Sequence, residues 1–214
     1  MHVILVGASG NAGSRILREL QSRGHDVTAV VRNPERLPAE VKRQRDDLSN
    51  TDRIREIISG SEAVVSAYNP PQNDPDQLPA VTSRLIDAVR SDGKPRFIMV
   101  GGAASLEIAP GMTALASGYL PKEWVPEATA HQRALELLKA SEINWTYLSP
   151  SAFFEAGERT GKFRLGTKSL IVDEKVSSQI PFGNSRISFE DYAVALVDEI
   201  ERPAYLRAQF TVGY

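Results

Sequence analysis

The feature that most constrains this chain is its opening segment, MHVILVGASGNAGSRIL. A short apolar run ending at Val6 leads directly into Gly7, Gly10 and Gly13, after which apolar residues recur at helical spacing. Because glycine has no Cβ atom, this spacing permits a tight turn, close approach of a ligand to the backbone and close packing of a helix on a strand. A helix N-terminus also directs N–H groups at anions, so the segment predicts a phosphate-binding strand–turn–helix unit.

Strand-like and helix-like segments alternate along the rest of the chain. The patterns predict strands at 2–6, 26–32, 41–46, 62–68, 95–102, 143–150 and 209–214, and helices at 11–24, 51–59, 81–93, 127–140 and 189–202. The connections 69–79 and 103–126 are rich in proline or glycine and are predicted loops. This order predicts a single α/β domain over 1–214, a doubly wound, mainly parallel sheet with helices on both faces. Its ligand site is expected at the carboxyl ends of the strands.

Composition argues against several classes of function. The 214-residue chain has a formal net charge of −2 and no cysteine, so it lacks a basic footprint for nucleic acid or membrane surfaces and can form no disulfide. Its three histidines, His2, His25 and His131, are too scattered in sequence to indicate a metal site. No apolar run approaches the ~20 residues of a membrane span. We therefore expect a cytoplasmic protein whose partner is a small molecule, neither a nucleic acid nor a membrane.

The residue at the end of the second predicted strand indicates which nucleotide would bind. An Asp or Glu at this place binds the ribose hydroxyls of NAD, but this chain has Arg32. A guanidinium group binds phosphate bidentately, so Arg32 predicts NADP, with its 2′-phosphate, in preference to NAD. Other predicted cofactor-binding residues lie in the glycine turn or after other strands: Gly7, Ser9, Gly10, Asn11, Gly13, Asp47, Leu48, Tyr68, Asn69, Gly101 and Gly102.

Five of these residues also have a plainer interpretation. Arg32 either binds the 2′-phosphate or is a solvated residue at the end of the strand. Ser9 and Asn11 either bind the cofactor or cap the helix. Asp47 either accepts a hydrogen bond from the adenine amino group or is an ordinary turn residue. Tyr68 either lies along the cofactor or packs beneath the proline-rich loop.

Several segments carry a family resemblance. GASGNAG, VVRNP, VGGAASL and NWTYLSP resemble atypical short-chain dehydrogenases of the NmrA-like type, and LSPSAFFEAGERTGKFRLG with SRISFEDYAVALVDEIE is similar to their bacterial NADH-flavin reductase subgroup. The resemblance implies a Rossmann fold with a small substrate-side region at about 150–188. It also implies hydride transfer from NAD(P)H to a flavin (FMN or FAD) or to a similar planar acceptor such as a quinone.

The chain departs from the usual dehydrogenase catalytic pair. Carbonyl-reducing members use Tyr-x-x-x-Lys, in which the tyrosine donates a proton. HQRALELLKASEINWTYLSP is similar to the matching segment of biliverdin reductase B, and on that alignment the pair falls on Glu127 and His131. The alignment makes His131 a candidate catalytic residue at the substrate pocket, with a capping or surface histidine as the alternative. Ser105 is the nearest serine to the family's catalytic serine, or else a turn former.

The segment after the sixth strand is the predicted substrate side. Phe153 and Phe154 offer flat surfaces for a ring, and Arg159 offers charge for a flavin phosphate; alternatively, the aromatic residues belong to the core. The missing Tyr-Lys pair equally suits a non-catalytic NADP(H) sensor of the NmrA-like type. An isomerase or epimerase on this scaffold would need an acid/base pair that the sequence does not show. The oligomeric state stays open.

Overall fold

The computed structural model describes residues 1–177 and 182–214. Its strands are β1 (His2–Val6), β2 (Asp26–Val31), β3 (Arg43–Arg45), β4 (Ala63–Ser66), β5 (Arg96–Val100), β6 (Glu107–Ala109), β7 (Met112–Thr113), β8 (Trp145–Ser149), β9 (Phe153–Glu155), β10 (Arg164–Gly166), β11 (Arg186–Ser188) and β12 (Ala208–Gly213). Its α-helices are α1 (Asn11–Ser22), α2 (Thr51–Ile58), α3 (Gln77–Asp92), α4 (Val125–Ala140) and α5 (Phe189–Glu201).

Eight strands form the central sheet, in the order β10-β12-β8-β5-β4-β1-β2-β3. Every neighbouring pair is parallel except β10 and β12. From β1 the chain first builds outward through β2 and β3, and then returns to build the other side from β4. The strand order therefore reverses between β1 and β4, which is the place where ligands bind in open α/β sheets. The predicted doubly wound fold is confirmed.

The side chains of β1 alternate between two cores, one on each face of the sheet. Leu5 belongs to the core beneath α1 and α5, whereas Ile4 belongs to the core beneath α2, α3 and α4. Both side chains are almost completely buried. This alternation follows from the period of two in a strand, and burial on both faces explains the continuous apolar run of the sequence.

Three regions differ from the sequence-based prediction. Helix α3 begins at Gln77 rather than 81, because Pro79 lies in its first turn, where a missing N–H breaks no helical hydrogen bond. The predicted loop 103–126 contains the β6–β7 hairpin. The substrate-side region contains three short strands: β9 pairs in parallel with β11, and β10 extends the main sheet.

Candidate functional site

The glycine turn after β1 has no room for side chains. Gly7 has a φ of +77°, and a Cβ atom there would lie 2.3 Å from the carbonyl oxygen of Ala67. A Cβ atom on Gly13 would lie 2.1 Å from the carbonyl oxygen of Gly7. Gly10 is the N-cap of α1, and no side chain caps the helix. Its first-turn N–H groups are therefore left for an anionic ligand rather than for a capping side chain.

A cleft of about 290 Å³ opens over this turn, and we call it the nucleotide cleft. It lies at the carboxyl ends of β1, β2, β3 and β4. It brings together most of the predicted cofactor-binding residues: Gly7, Ser9, Gly10, Arg32, Asp47, Leu48, Tyr68 and Asn69. Asn11 and Gly13 do not line it and lie in the first turn of α1. Gly101 and Gly102 also lie outside it, in a second cleft described below.

Two arginines follow β2 along the wall of the nucleotide cleft. Arg32 and Arg36 are both exposed, and neither forms an ion pair within residues 1–177 and 182–214. Arg84 of α3 lines an adjoining cavity with Arg32 and donates a hydrogen bond to the carbonyl oxygen of Leu48 at 3.2 Å. The sequence analysis missed Arg84, since nothing in the local helical pattern distinguishes it from a solvated arginine. The guanidinium groups of Arg32 and Arg36 are available to a phosphate.

The turn after β3 holds Asp47 at the cleft. Leu48 is buried with a φ of 62°, and its N–H donates to Asp46 at 2.7 Å. Asp47 Oδ1 accepts a hydrogen bond from Ser49 N at 2.9 Å, and the bonds from Ser49 hold the pKa of Asp47 below its usual range. Asp47 therefore acts as a turn former and also lines the cleft, while its hydrogen bond from the adenine amino group stays a prediction.

Tyr68 forms the opposite wall of the nucleotide cleft. Its hydroxyl donates to Gln77 Oε1 at 2.9 Å, and its ring packs against the core beneath α3. Burial raises the pKa of Tyr68, so the side chain is neutral at physiological pH. The residue lines the cleft and is also anchored to the start of α3.

A second cleft, of about 230 Å³, lies at the carboxyl ends of β5 and β8, and we call it the acceptor cleft. Its walls are mainly apolar and come from the loops after these strands, from α4 and from the substrate-side region. Its lining residues include Gly101, Gly102, Leu120, Trp124, Glu127, Ala128, His131, Ser151, Phe154, Leu170 and Phe182. The aromatic and glycine surfaces suit a flat ring better than a flexible polar molecule.

His131 is held against the backbone at the base of the acceptor cleft. A Cβ atom on Gly102 would lie 3.0 Å from His131 Cγ, so the imidazole packs directly on the glycine. Gly102 N donates to the Tyr147 hydroxyl at 3.0 Å, and that hydroxyl lies 3.4 Å from His131 Nδ1. Burial lowers the pKa of His131 to about 4 and raises the pKa of Tyr147. Both groups are therefore neutral at physiological pH.

The Ser105 hydroxyl forms its hydrogen bonds with other groups of the protein. Its Oγ donates to the carbonyl oxygen of Gly102 at 3.2 Å and accepts from Gln209 Nε2 at 2.8 Å. It closes the short 3₁₀ turn Ala103–Ser105 and is not among the residues that line the acceptor cleft. The turn-forming interpretation of Ser105 matches this position, because both hydrogen bonds connect protein groups to each other.

Two of the three predicted substrate residues also lie away from the acceptor cleft. Arg159 donates two hydrogen bonds of 2.8 Å to the buried carboxylate of Glu19 in α1. The ring of Phe153 lies under the Arg186 guanidinium, 4.9 Å away. Because the side chains of a strand alternate in direction, Phe154 turns inward instead, where it lines the cleft and packs on Tyr192. Of the three, the structure brings only Phe154 to the cleft.

Within the described residues, none of the helices combines the length and apolar character needed to cross a bilayer. The same part of the chain contains no group of three or more side chains placed to hold a metal ion.

Known proteins resemble this chain over its whole length. A family model described as NAD(P)H-binding matches residues 7–203. A "putative exported protein" from Burkholderia pseudomallei is 41% identical, with a TM-score of 0.89 and complete coverage of both chains. A "putative epimerase" from Bacteroides thetaiotaomicron is 42% identical, with a TM-score of 0.90, and covers 100% of this chain and 96% of its own.

A third solved structure carries the name of an oxidoreductase. The "putative NADH-flavin reductase" from Streptococcus pneumoniae is 32% identical, with a TM-score of 0.82, and the match covers 100% of this chain and 99% of the other. The expected resemblance is confirmed at the level of the family, and the fold is that of an oxidoreductase-like Rossmann domain. Its glycine turn, its topology and these matches together show that this chain belongs to the NAD(P)H-binding protein family.

Proposed function

We propose that this protein is an NADPH-dependent reductase that passes hydride to a planar acceptor, either a flavin or a quinone. The observation that carries the proposal is the position of two complementary clefts at one edge of the sheet. The nucleotide cleft is lined by the glycine turn and by Arg32 and Arg36, which have no ion-pair partner in the part of the chain that the structure describes. The acceptor cleft is mainly apolar and contains His131. A reductase needs both a charged dinucleotide site and an adjoining site for a flat oxidant.

The residues present fit a bound NADPH. The backbone at Gly7 and Gly13 has no space for a Cβ atom, and α1 begins there without a side-chain cap. In this proposal the pyrophosphate is held by the glycine turn, the 2′-phosphate by Arg32 and Arg36, and the adenosine by Asp47, Leu48, Tyr68 and Asn69. In the same proposal Gly101 and Gly102 would border the nicotinamide ring. When bound, NADPH would supply a hydride, which is two electrons and one proton, and the second proton of the reduced acceptor would come from bulk water after the acceptor has left the cleft.

The chain's own residues position the acceptor rather than donate a proton to it. On the alignment with biliverdin reductase B, Glu127 and His131 fall at the positions of the tyrosine and lysine of carbonyl reductases. The buried Tyr147 does not line the cleft. A neutral imidazole can hydrogen-bond to a ring carbonyl or nitrogen, and apolar walls exclude water. A flavin or quinone suits this arrangement because its ring delocalises the negative charge that follows hydride transfer.

The same geometry argues against epimerisation by direct proton transfer. An epimerase of that kind removes a proton from one face of its substrate and returns a proton to the opposite face, so it needs an acid and a base on opposite sides. The titratable side chains among the described lining residues of the acceptor cleft are Glu127 and His131, four residues apart on one face of α4. Both groups therefore approach from the same side.

The missing catalytic pair also supports a second candidate function, a non-catalytic NADP(H) sensor. The experiment that separates the two is nucleotide oxidation by purified protein with FMN, FAD, riboflavin or a quinone as acceptor. The reductase proposal expects turnover, faster with NADPH than with NADH, and a loss of turnover in His131→Ala but not in His2→Ala. Tight NADPH binding with no turnover on any acceptor would favour the sensor.

We also propose that the protein works in the cytoplasm, as expected from its sequence. The name of the Burkholderia pseudomallei relative points instead to export of that protein. Cell fractionation followed by immunodetection separates the two locations.

A further inference from the structure

The described side chains that line the acceptor cleft carry a net negative charge. Among its described lining residues, Glu127 is the single carboxylate, and there is no lysine or arginine. His131 adds no positive charge, because it is neutral near pH 7. The four residues outside the described ranges, 178–181, read Ser-Gln-Ile-Pro in the sequence and carry no charge either.

None of the described basic side chains of the substrate-side region lines the acceptor cleft, and three of them are engaged by other protein groups. Arg159 binds Glu19, and Arg164 donates to the carbonyl oxygens of Val172, at 2.7 Å, and Tyr214. Lys168 lies 3.6 Å from the carboxylate of Glu107. These cations are compensated by protein groups, so they offer little to a ligand's phosphate.

The exposed segment that carries Glu127 does not compensate its charge. This segment, 121–127, reads PKEWVPE and contains Lys122, Glu123 and Glu127. Lys122 and Glu123 offset each other, so the charge of Glu127 is left uncompensated within the segment, beside the exposed ring of Trp124. A phosphate held near this segment would meet a net negative charge.

We propose, as a refinement that rests on the proposed function, that the acceptor cleft selects uncharged planar oxidants and discriminates against phosphate-bearing ones. The apolar walls favour burial of the ring. A phosphate group adds repulsion from Glu127 and finds no arginine or lysine among the described lining residues, so it makes the free energy of binding less favourable. In this proposal riboflavin is a better ligand than FMN, although the two share the same ring system.

The test compares the binding of riboflavin and FMN, a pair that differs only in the phosphate. Flavin fluorescence quenching with saturating NADP⁺ measures both dissociation constants without turnover. We expect riboflavin to bind roughly three- to tenfold more tightly at low salt, as for partly exposed charges, and the difference to shrink at high salt. Glu127→Gln is expected to narrow the ratio of the two dissociation constants, whereas Glu136→Gln, an exposed carboxylate of the same helix that does not line the cleft, is the matched control and should leave the ratio unchanged.

The outcomes separate this proposal from the proposed function. Equal or tighter binding of FMN, or a ratio that Glu127→Gln leaves unchanged, would overturn the charge selection and leave the reductase intact. Riboflavin binding with the expected selectivity, but without any oxidation of NADPH, would overturn the reductase and leave the charge selection standing. If neither flavin binds to a folded protein that still binds NADPH, both proposals are wrong.

Discussion

The carbonyl oxygen of Gly7 lies 2.1 Å from the position that a Cβ atom would occupy on Gly13. The carbonyl group of Gly7 and the Cα atom of Gly13 both belong to the backbone, which cannot move aside as a flexible side chain can. The first turn of α1 therefore packs on the end of β1 at a distance that only glycine permits.

Gly13→Ala is expected to weaken both folding and nucleotide binding. Relief of the overlap requires α1 to shift from β1, which costs about 1–3 kcal/mol, as for an overpacked core. Gly10→Ala is the matched control for the effect on folding, since its Cβ would lie 3.3 Å from the carbonyl oxygen of Gly7. Thermal denaturation and NADPH titration measure the two effects. Equal losses of stability in the two variants would show that the close approach of α1 to β1 is unimportant for folding.

Arg32→Ala is expected to remove the preference for NADPH. A charge-assisted hydrogen bond contributes about 1.5–3 kcal/mol, so the affinity for NADPH should fall roughly 10- to 100-fold. Affinity for NADH, which has no 2′-phosphate, serves as the internal control and should change little. Titration of both nucleotides into the wild type and the variant measures the ratio. An equal loss for both nucleotides would instead assign Arg32 a general electrostatic or structural role.

The pKa of His131 predicts how stability depends on pH. Burial lowers this pKa from 6.5 to about 4, so between these values the unfolded chain binds a proton that the folded protein does not. Stability therefore rises with pH across this window and is lost as pH falls from about 6.5 toward 4. His131→Asn should reduce this part of the acid destabilisation, whereas His2→Asn should not. Urea denaturation at several pH values measures this pH dependence of the free energy of unfolding.

The same pKa predicts the pH profile of the proposed reaction. Because His131 is expected to stay neutral from about pH 5 upward, kcat/KM should show no inflection near 6.5 from this residue. A wild-type inflection near pH 6.5 that disappears in His131→Asn would mean that the imidazole titrates normally in the working enzyme.

Arg159→Ala is expected to lower stability and to spare the acceptor reaction. The hydrogen bond from Arg159 is the largest cause that lowers the pKa of Glu19, whose carboxylate is buried and also pairs with Arg23. Removal of Arg159 leaves one ion-pair partner, so we expect a loss of about 1 kcal/mol rather than several. Chemical denaturation and the KM for the acceptor are the two measurements. A raised KM for the acceptor with unchanged stability would instead indicate that Arg159 belongs to the substrate site.

The nucleotide half of the site could be largely predicted from the sequence. Strand ends in a parallel sheet meet at one edge, so residues that follow β1, β2, β3 and β4 had to converge once the alternation of strands and helices was recognised. Arg32, Asp47 and Tyr68 line one cleft for this reason. Arg84 escaped prediction because it reaches the turn at Leu48 from a helix face, and its partner is a backbone carbonyl 36 residues away.

The substrate-side region was less predictable because its strands are short and pair with distant partners. β9 pairs with β11 across about thirty residues, and β10 pairs with β12 near the end of the chain. Three-residue strands carry too little periodic pattern to be recognised locally. Which of Phe153 and Phe154 faces the cleft depends on strand register, since a shift of one residue would exchange them.

The sequence by itself determined the glycine turn, the α/β alternation and the edge of the sheet at which a dinucleotide would bind. These follow from local rules, the absence of a Cβ atom and the periods of strands and helices, which act over a few residues. Only the tertiary structure decided that Arg159 binds Glu19, that burial keeps His131 neutral and that Glu127 is the sole carboxylate of the described acceptor-cleft lining. Long charged side chains reach partners far away in sequence, and a pKa depends on everything packed around the group.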